Sequence, residues 1–101
     1  MSCLEYIRIH ELYTTLYEAI YKQHSKIIIV QCCTENAAYA AYCGIHHTIE
    51  GIRKELPILP GMILEEYIHN DYYKYFRLRH TLRYIKIMVT LDGISLRIDI
   101  A

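Results

Sequence analysis

The sequence predicts an α+β fold: one small, mostly antiparallel sheet covered by two or three helices. Three observations carry this. The chain ends in a hairpin pattern, Tyr84 to Leu91 and Ile94 to Ile100 around Asp92-Gly93. A short apolar, β-branched run, Lys26 to Cys33, reads as a central strand. Apolar residues recur at helical spacing on both sides of that run.

Leu12, Tyr13, Leu16, Tyr17 and Ile20 follow Ile9 at the spacing of one helix face, with Glu11, Thr15, Glu18 and Lys22 opposite. This predicts a helix over residues 4–22. The strand over 26–33 follows. Thr34 is placed to cap a second helix over 35–56, whose apolar face is Ala38, Tyr42, Ile45, Ile49, Ile52 and Leu56. Pro57 ends that helix, and the segment through Gly61 is a connector. Ile63, Tyr67 and Ile68 suggest a third helix over 62–73. Residues 74–83 fit either its extension or a further strand, because Tyr73, Tyr75, Arg77 and Arg79 alternate with Lys74, Phe76, Leu78 and His80. The passage from strand 26–33 to the hairpin allows one parallel pair by a crossover connection.

A two-residue Asp92-Gly93 turn sets a register in the hairpin, 84–91 against 94–100. Ile85 then faces Ile100, Ile87 faces Ile98, Val89 faces Leu96 and Leu91 faces Ile94, all on one dry face. Lys86 with Asp99, Met88 with Arg97 and Thr90 with Ser95 form the wet face.

At 101 residues the chain is expected to be a single compact domain, 1–101. With 53% hydrophobic residues it can bury a core, and its formal net charge is zero. Zero charge gives no long-range attraction to a polyanion and leaves copies free to associate. No apolar stretch, the aliphatic run Ile27 to Val30 included, is long enough to cross a bilayer, and Glu5, Arg8, His10, Glu11 and Glu18 interrupt any signal peptide. The expected location is cytoplasmic, with no membrane partner. Free thiols are then expected at Cys3, Cys32, Cys33 and Cys43.

Four constellations bear on function. Cys43, His46 and His47 could share a helix face as zinc ligands, but the spacing matches no paired-knuckle pattern, and a small cysteine beside solvated histidines explains it as well. Cys33 before a helix N-terminus, with His46 or His47 as base and Glu50 to orient it, is the arrangement a nucleophilic cysteine needs. Chance supplies such sets in a chain with four Cys and six His. The reading is therefore non-enzymatic, with no catalytic residue, metal or cofactor assigned.

The third constellation is basic and aromatic. Tyr72, Tyr73, Lys74, Tyr75, Arg77, Arg79, Arg83 and Lys86 combine ring faces for stacking with cations for phosphates, the pattern of an RNA or single-stranded DNA binder. Alternation between core rings and solvated charges accounts for the same residues. The fourth is the set of eleven tyrosines against one Phe and no Trp. Tyr6, Tyr13, Tyr17, Tyr21 and Tyr39 lie on the two long predicted helices, more than a small core hides, and tyrosine favours protein interfaces. The leading expectation is an interaction or regulatory module that binds protein and forms a homodimer or other homo-oligomer, with nucleic-acid binding through 72–86 as the alternative. No phosphate loop, paired CxxC or HExxH occurs. In size, composition and lack of motif the chain resembles the small accessory proteins of viruses and mobile elements, a likeness that identifies no family.

Overall fold

The computed structural model describes residues 3–56, 62–80 and 83–101. The connector expected at 57–61, and residues 81 and 82, lie outside the described residues. Six strands form one mixed sheet: β1 (Cys3–Arg8), β2 (Lys26–Gln31), β3 (Ile63–His69), β4 (Tyr73–His80), β5 (Arg83–Asp92) and β6 (Ser95–Ile100). Their order across the sheet is β1-β2-β6-β5-β4-β3. The described residues hold two α-helices, α1 (Leu12–Lys22), preceded by a 3-10 turn at Ile9–Glu11, and α2 (Glu35–Glu55).

The fold class therefore needs correcting from a mostly antiparallel sheet with up to three helices to a larger mixed sheet with two. Residues 4–8, expected at the start of the helix over 4–22, instead belong to β1, which pairs parallel to β2 with Ile7 opposite Val30 and Cys3 opposite Lys26. Helical spacing begins only at Leu12. Residues 62–73 are not a helix; β3 pairs antiparallel with β4, Tyr67 opposite Phe76 and His69 opposite Lys74. A register shift between Leu64 and Glu66 breaks its period-two pattern. Residues 73–80 are a strand rather than a helical extension, and the central strand stops at Gln31.

The hairpin is present, but its register is not the expected one. The turn pair is Gly93-Ile94, with Asp92 opposite Ser95, Leu91 opposite Leu96, Val89 opposite Ile98 and Ile87 opposite Ile100. Gly93 has φ +62 and Ile94 has no positive φ, which is the requirement of a turn with glycine at its first central position. The slide moves every partner but no side chain across the sheet, because faces are set by parity alone. Lys86 thus does not face Asp99; Met88 does. Ile94 leaves the dry face and is 50% exposed at the turn.

One face of the sheet carries the core. Ile7, Ile28, Val30, Leu96, Ile98, Ile100, Ile85, Ile87, Val89, Phe76 and Leu78 are all buried there. Leu12, Leu16, Ala19 and Ile20 of α1, and Ala38, Tyr42, Ile45, Ile49 and Ile52 of α2, close over them. Thr34 caps α2, its hydroxyl accepting from the Ala37 N–H at 3.0 Å. At the far end, Arg53 pairs with Glu50 and donates to the Met62 carbonyl at 2.9 Å, fixing where the chain enters β3. Stacked rings fill the space between α2 and β3–β4: His46 lies 4.7 Å from Tyr67, and Tyr67 lies 4.7 Å from Phe76.

Candidate interaction surface

Side chains alternate along each strand, so every core position has neighbours aimed the other way. Among the described residues no helix covers that second face. The pairing registers turn it into rows. One row crosses all six strands as Leu4, Ile27, Asp99, Met88, Tyr75 and Ile68. The next reads Tyr6, Ile29, Arg97, Thr90 and Tyr73. Leu4 is 56% exposed, Tyr6 62% and Ile68 53%. Ile27, Ile29, Met88, Tyr73 and Tyr75 are half-buried by their neighbours in the sheet.

Charge on this face is largely paired. Arg97 Nε donates to Asp99 Oδ1 at 3.0 Å within the central rows. Toward β3, the Glu65 carboxylate stands 3.9 Å from Arg77 and 3.8 Å from Arg79. That placement depends on the bulge, which turns Glu65 toward the arginines. Arg77 also lies over the Tyr84 ring at 5.4 Å. Lys86 stands directly opposite Arg77 on one side, a like-charge neighbour, and Glu66 stands opposite Arg77 on the other. Arg8 and Asp92 lie at the other end of the strands. The surface is thus two mainly apolar rows with charged margins.

The nucleic-acid set does not form one surface. Tyr73, Tyr75, Arg77, Arg79 and Lys86 share the open face. Lys74 points the opposite way and is 7% exposed; its ammonium donates to the Tyr42 carbonyl at 2.7 Å and lies 4.5 Å from the Tyr42 ring centroid. Burial lowers its pKa. A lysine so placed cannot reach a phosphate. Arg83 also faces the helices and bonds Gln23 at 3.2 Å. Tyr72 is exposed beside β4 and lines a cleft of about 330 Å³ with Tyr39, Glu35, Asn36, Leu91, Asp92 and Gly93.

The tyrosine set is divided as well. Tyr6 lies on the open face. Tyr13, Tyr17 and Tyr21 form a ladder along α1, with successive ring centroids 6.3 Å apart. The Tyr13 hydroxyl donates to Glu55 at 2.5 Å, tying α1 to α2, and that bond raises its pKa to about 12. Tyr17 packs against the core. Tyr39 is 52% exposed on α2.

The zinc alternative does not assemble. Cys43 is exposed, His46 stacks on Tyr67, and His47 meets His46 edge-on at 5.7 Å. Among the described residues no three His, Cys, Asp or Glu converge as a metal site. Cys33 lines a cavity of about 480 Å³ with Arg8, Ile9, His10, Gln31, Cys32 and Ala37, and neither His46 nor His47 belongs to it. Glu50 is engaged by Arg53 through hydrogen bonds that lower its pKa. All four cysteines are free. No described helix is long and apolar enough to cross a membrane.

Sequence reasoning missed the contributions of Leu4, Ile27, Ile29, Ile68 and Met88. Lys26 to Cys33 reads as a buried central strand, whereas only Ile28, Val30 and Cys32 of that run are buried. What marks the surface is that, among the described residues, no third helix covers it. No family model matches the chain, and no curated protein or solved structure matches it significantly.

Proposed function

We propose that this chain is a non-enzymatic, cytoplasmic protein-binding module whose working surface is the helix-free face of the sheet. The observation that supports this reading is the apolar row crossing all six strands, from Leu4 on β1 to Ile68 on β3. An apolar row left open by the helices, interrupted only by Asp99, which Arg97 neutralises, and flanked by a charged margin has the anatomy of a protein interface. The partner is a protein surface carrying its own apolar strip, a second copy of this chain among them. Single-stranded nucleic acid is the weaker reading. The arginines of this face are shared with Asp99 and Glu65, and Lys74 and Arg83 face the other way.

The test compares protein capture from nuclease-treated extract by wild type, by Ile29→Glu on the open face, and by Tyr21→Ala with Tyr39→Ala on the helices. Proteins retained by wild type and the helix variant but lost by Ile29→Glu support the proposal. Loss confined to the helix variant overturns it. So does micromolar binding of a labelled single strand at about 150 mM salt that Arg77→Glu abolishes, since counterion release makes that the mark of phosphate contact.

A further inference from the structure

We infer that the occupant of the open face is a second copy of the chain, packed sheet on sheet about a twofold axis that runs along the strands between β5 and β6. This rests on the open face being the working surface and adds the partner and its placement. Such an axis preserves position along the strands and reverses their order. β2 of one copy then lies over β4 of the other, and β1 over β3.

The two halves of the face are suited to that exchange. The β1–β2 half is aliphatic in its lower row, with Leu4 and Ile27, and Ile29 lies in the next. The β4–β3 half offers Tyr75 and Ile68, and then Tyr73. Reversal brings Ile27 over Tyr75, Ile29 over Tyr73 and Leu4 over Ile68. Aligned sheets pack about 10 Å apart with a rotation of about 30°, so correspondence is closest near the axis and drifts at β1 and β3.

Of the two axes that lay the Leu4–Ile68 row on its own copy, charge selects the one along the strands. Perpendicular to the strands, a twofold through the apolar row sets Asp99 on Asp99. Along the strands, Asp99 meets Met88, and Arg97 meets Thr90. The Arg97–Asp99 pair then enters the interface already neutralised at 3.0 Å. Arg77, Arg79, Lys86 and their glutamates lie at the strand ends, in the solvated margin. Net charge is zero, so two copies do not repel.

The face approaches the size of an interface. Five inter-strand spacings of about 4.8 Å and strands of six to ten residues give a flat footprint of roughly 24 by 24 Å, most of the ~800 Å² of accessible surface that a stable interface takes from each partner.

The decisive experiment is sedimentation equilibrium on Ile27→Lys, on Tyr75→Glu and on their equimolar mixture. The ammonium introduced by Ile27→Lys would stand beside Asp99 on the adjacent strand, and both substituted positions are half-buried on the helix-free face, outside the core, so folding is retained. Wild type is expected to be a dimer at about 100 µM, and each variant alone weakened by about 30-fold or more. The mixture should recover dimer, because one interface half then pairs the new ammonium with the new carboxylate while the other stays native. Ile29→Glu with Tyr73→Lys repeats the test one row away.

A monomeric wild type at about 100 µM overturns the inference and leaves the capture experiment to decide the open face as a surface for other proteins. A dimer unmoved by either variant overturns both. Weakening without recovery in either mixture overturns the axis and therefore the inference.

Discussion

Arg97 and Asp99 stand two residues apart on β6, joined by a 3.0 Å hydrogen bond in the middle of the uncovered face. They are the only charged residues in its two central rows. An isolated exposed pair of this kind contributes ~0–1 kcal/mol to stability. Its importance lies elsewhere. By holding its charges together it leaves Leu4, Ile27, Met88, Tyr75 and Ile68 as a strip in which no uncompensated charge resists desolvation.

The hairpin register makes the first prediction. Ile98→Ala removes a fully buried side chain opposite Val89 and should cost about 2–5 kcal/mol in a urea melt. Ile94→Ala, at the turn, should cost under ~0.5 kcal/mol. Equal costs would return Ile94 to the dry face and restore the Asp92-Gly93 turn.

Lys74 supplies the second. Burial lowers its pKa, so between that value and its usual range the unfolded chain binds the proton that the folded chain lacks. The destabilisation is complete below the folded pKa and is relieved as pH rises toward about 10.4. Lys74→Met should therefore be neutral to stabilising at pH 7, and the gain should shrink on the alkaline side. Chemical melts of both proteins from pH 7 to 10 check this. A loss of stability at pH 7 would mean that the bond to the Tyr42 carbonyl outweighs desolvation.

Tyr13 gives the third. Its pKa of about 12 comes first from the bond to Glu55, and that of Tyr42, also about 12, first from burial. Both are raised, so their stabilisation is present below pH ~10 and is lost as pH rises through about 12. Tyr39 and Tyr67 are raised too, so ultraviolet titration of tyrosinate should show one late group fewer in Glu55→Gln than in wild type. An unchanged titration would place the Tyr13 hydroxyl in solvent.

How much of this was legible in the sequence varied from element to element, for physical reasons. Helix α2 was readable because its apolar face repeats for five turns and Thr34 caps it. The strand β3 was not, because the bulge at Leu64–Glu66 interrupts alternation and leaves Ile63, Tyr67 and Ile68 at a spacing that imitates a helix. Nor was β1. Its pairing with β2 joins residues more than twenty positions apart, and local spacing carries no trace of it. The basic aromatic segment was legible as a strand alternative, which already implied that Lys74 and Arg77 face opposite ways. The open face was hidden because it draws its residues from all six strands.

Amide and side-chain methyl spectra recorded from about 1 mM down to about 10 µM chain would show directly which surface is used. Shifts that move with dilution are expected at Leu4, Ile27, Ile29, Met88 and Tyr75, with Tyr21 and Tyr39 unchanged. Concentration-dependent shifts confined to the α1 tyrosines, or none at any position, would contradict association through the open face.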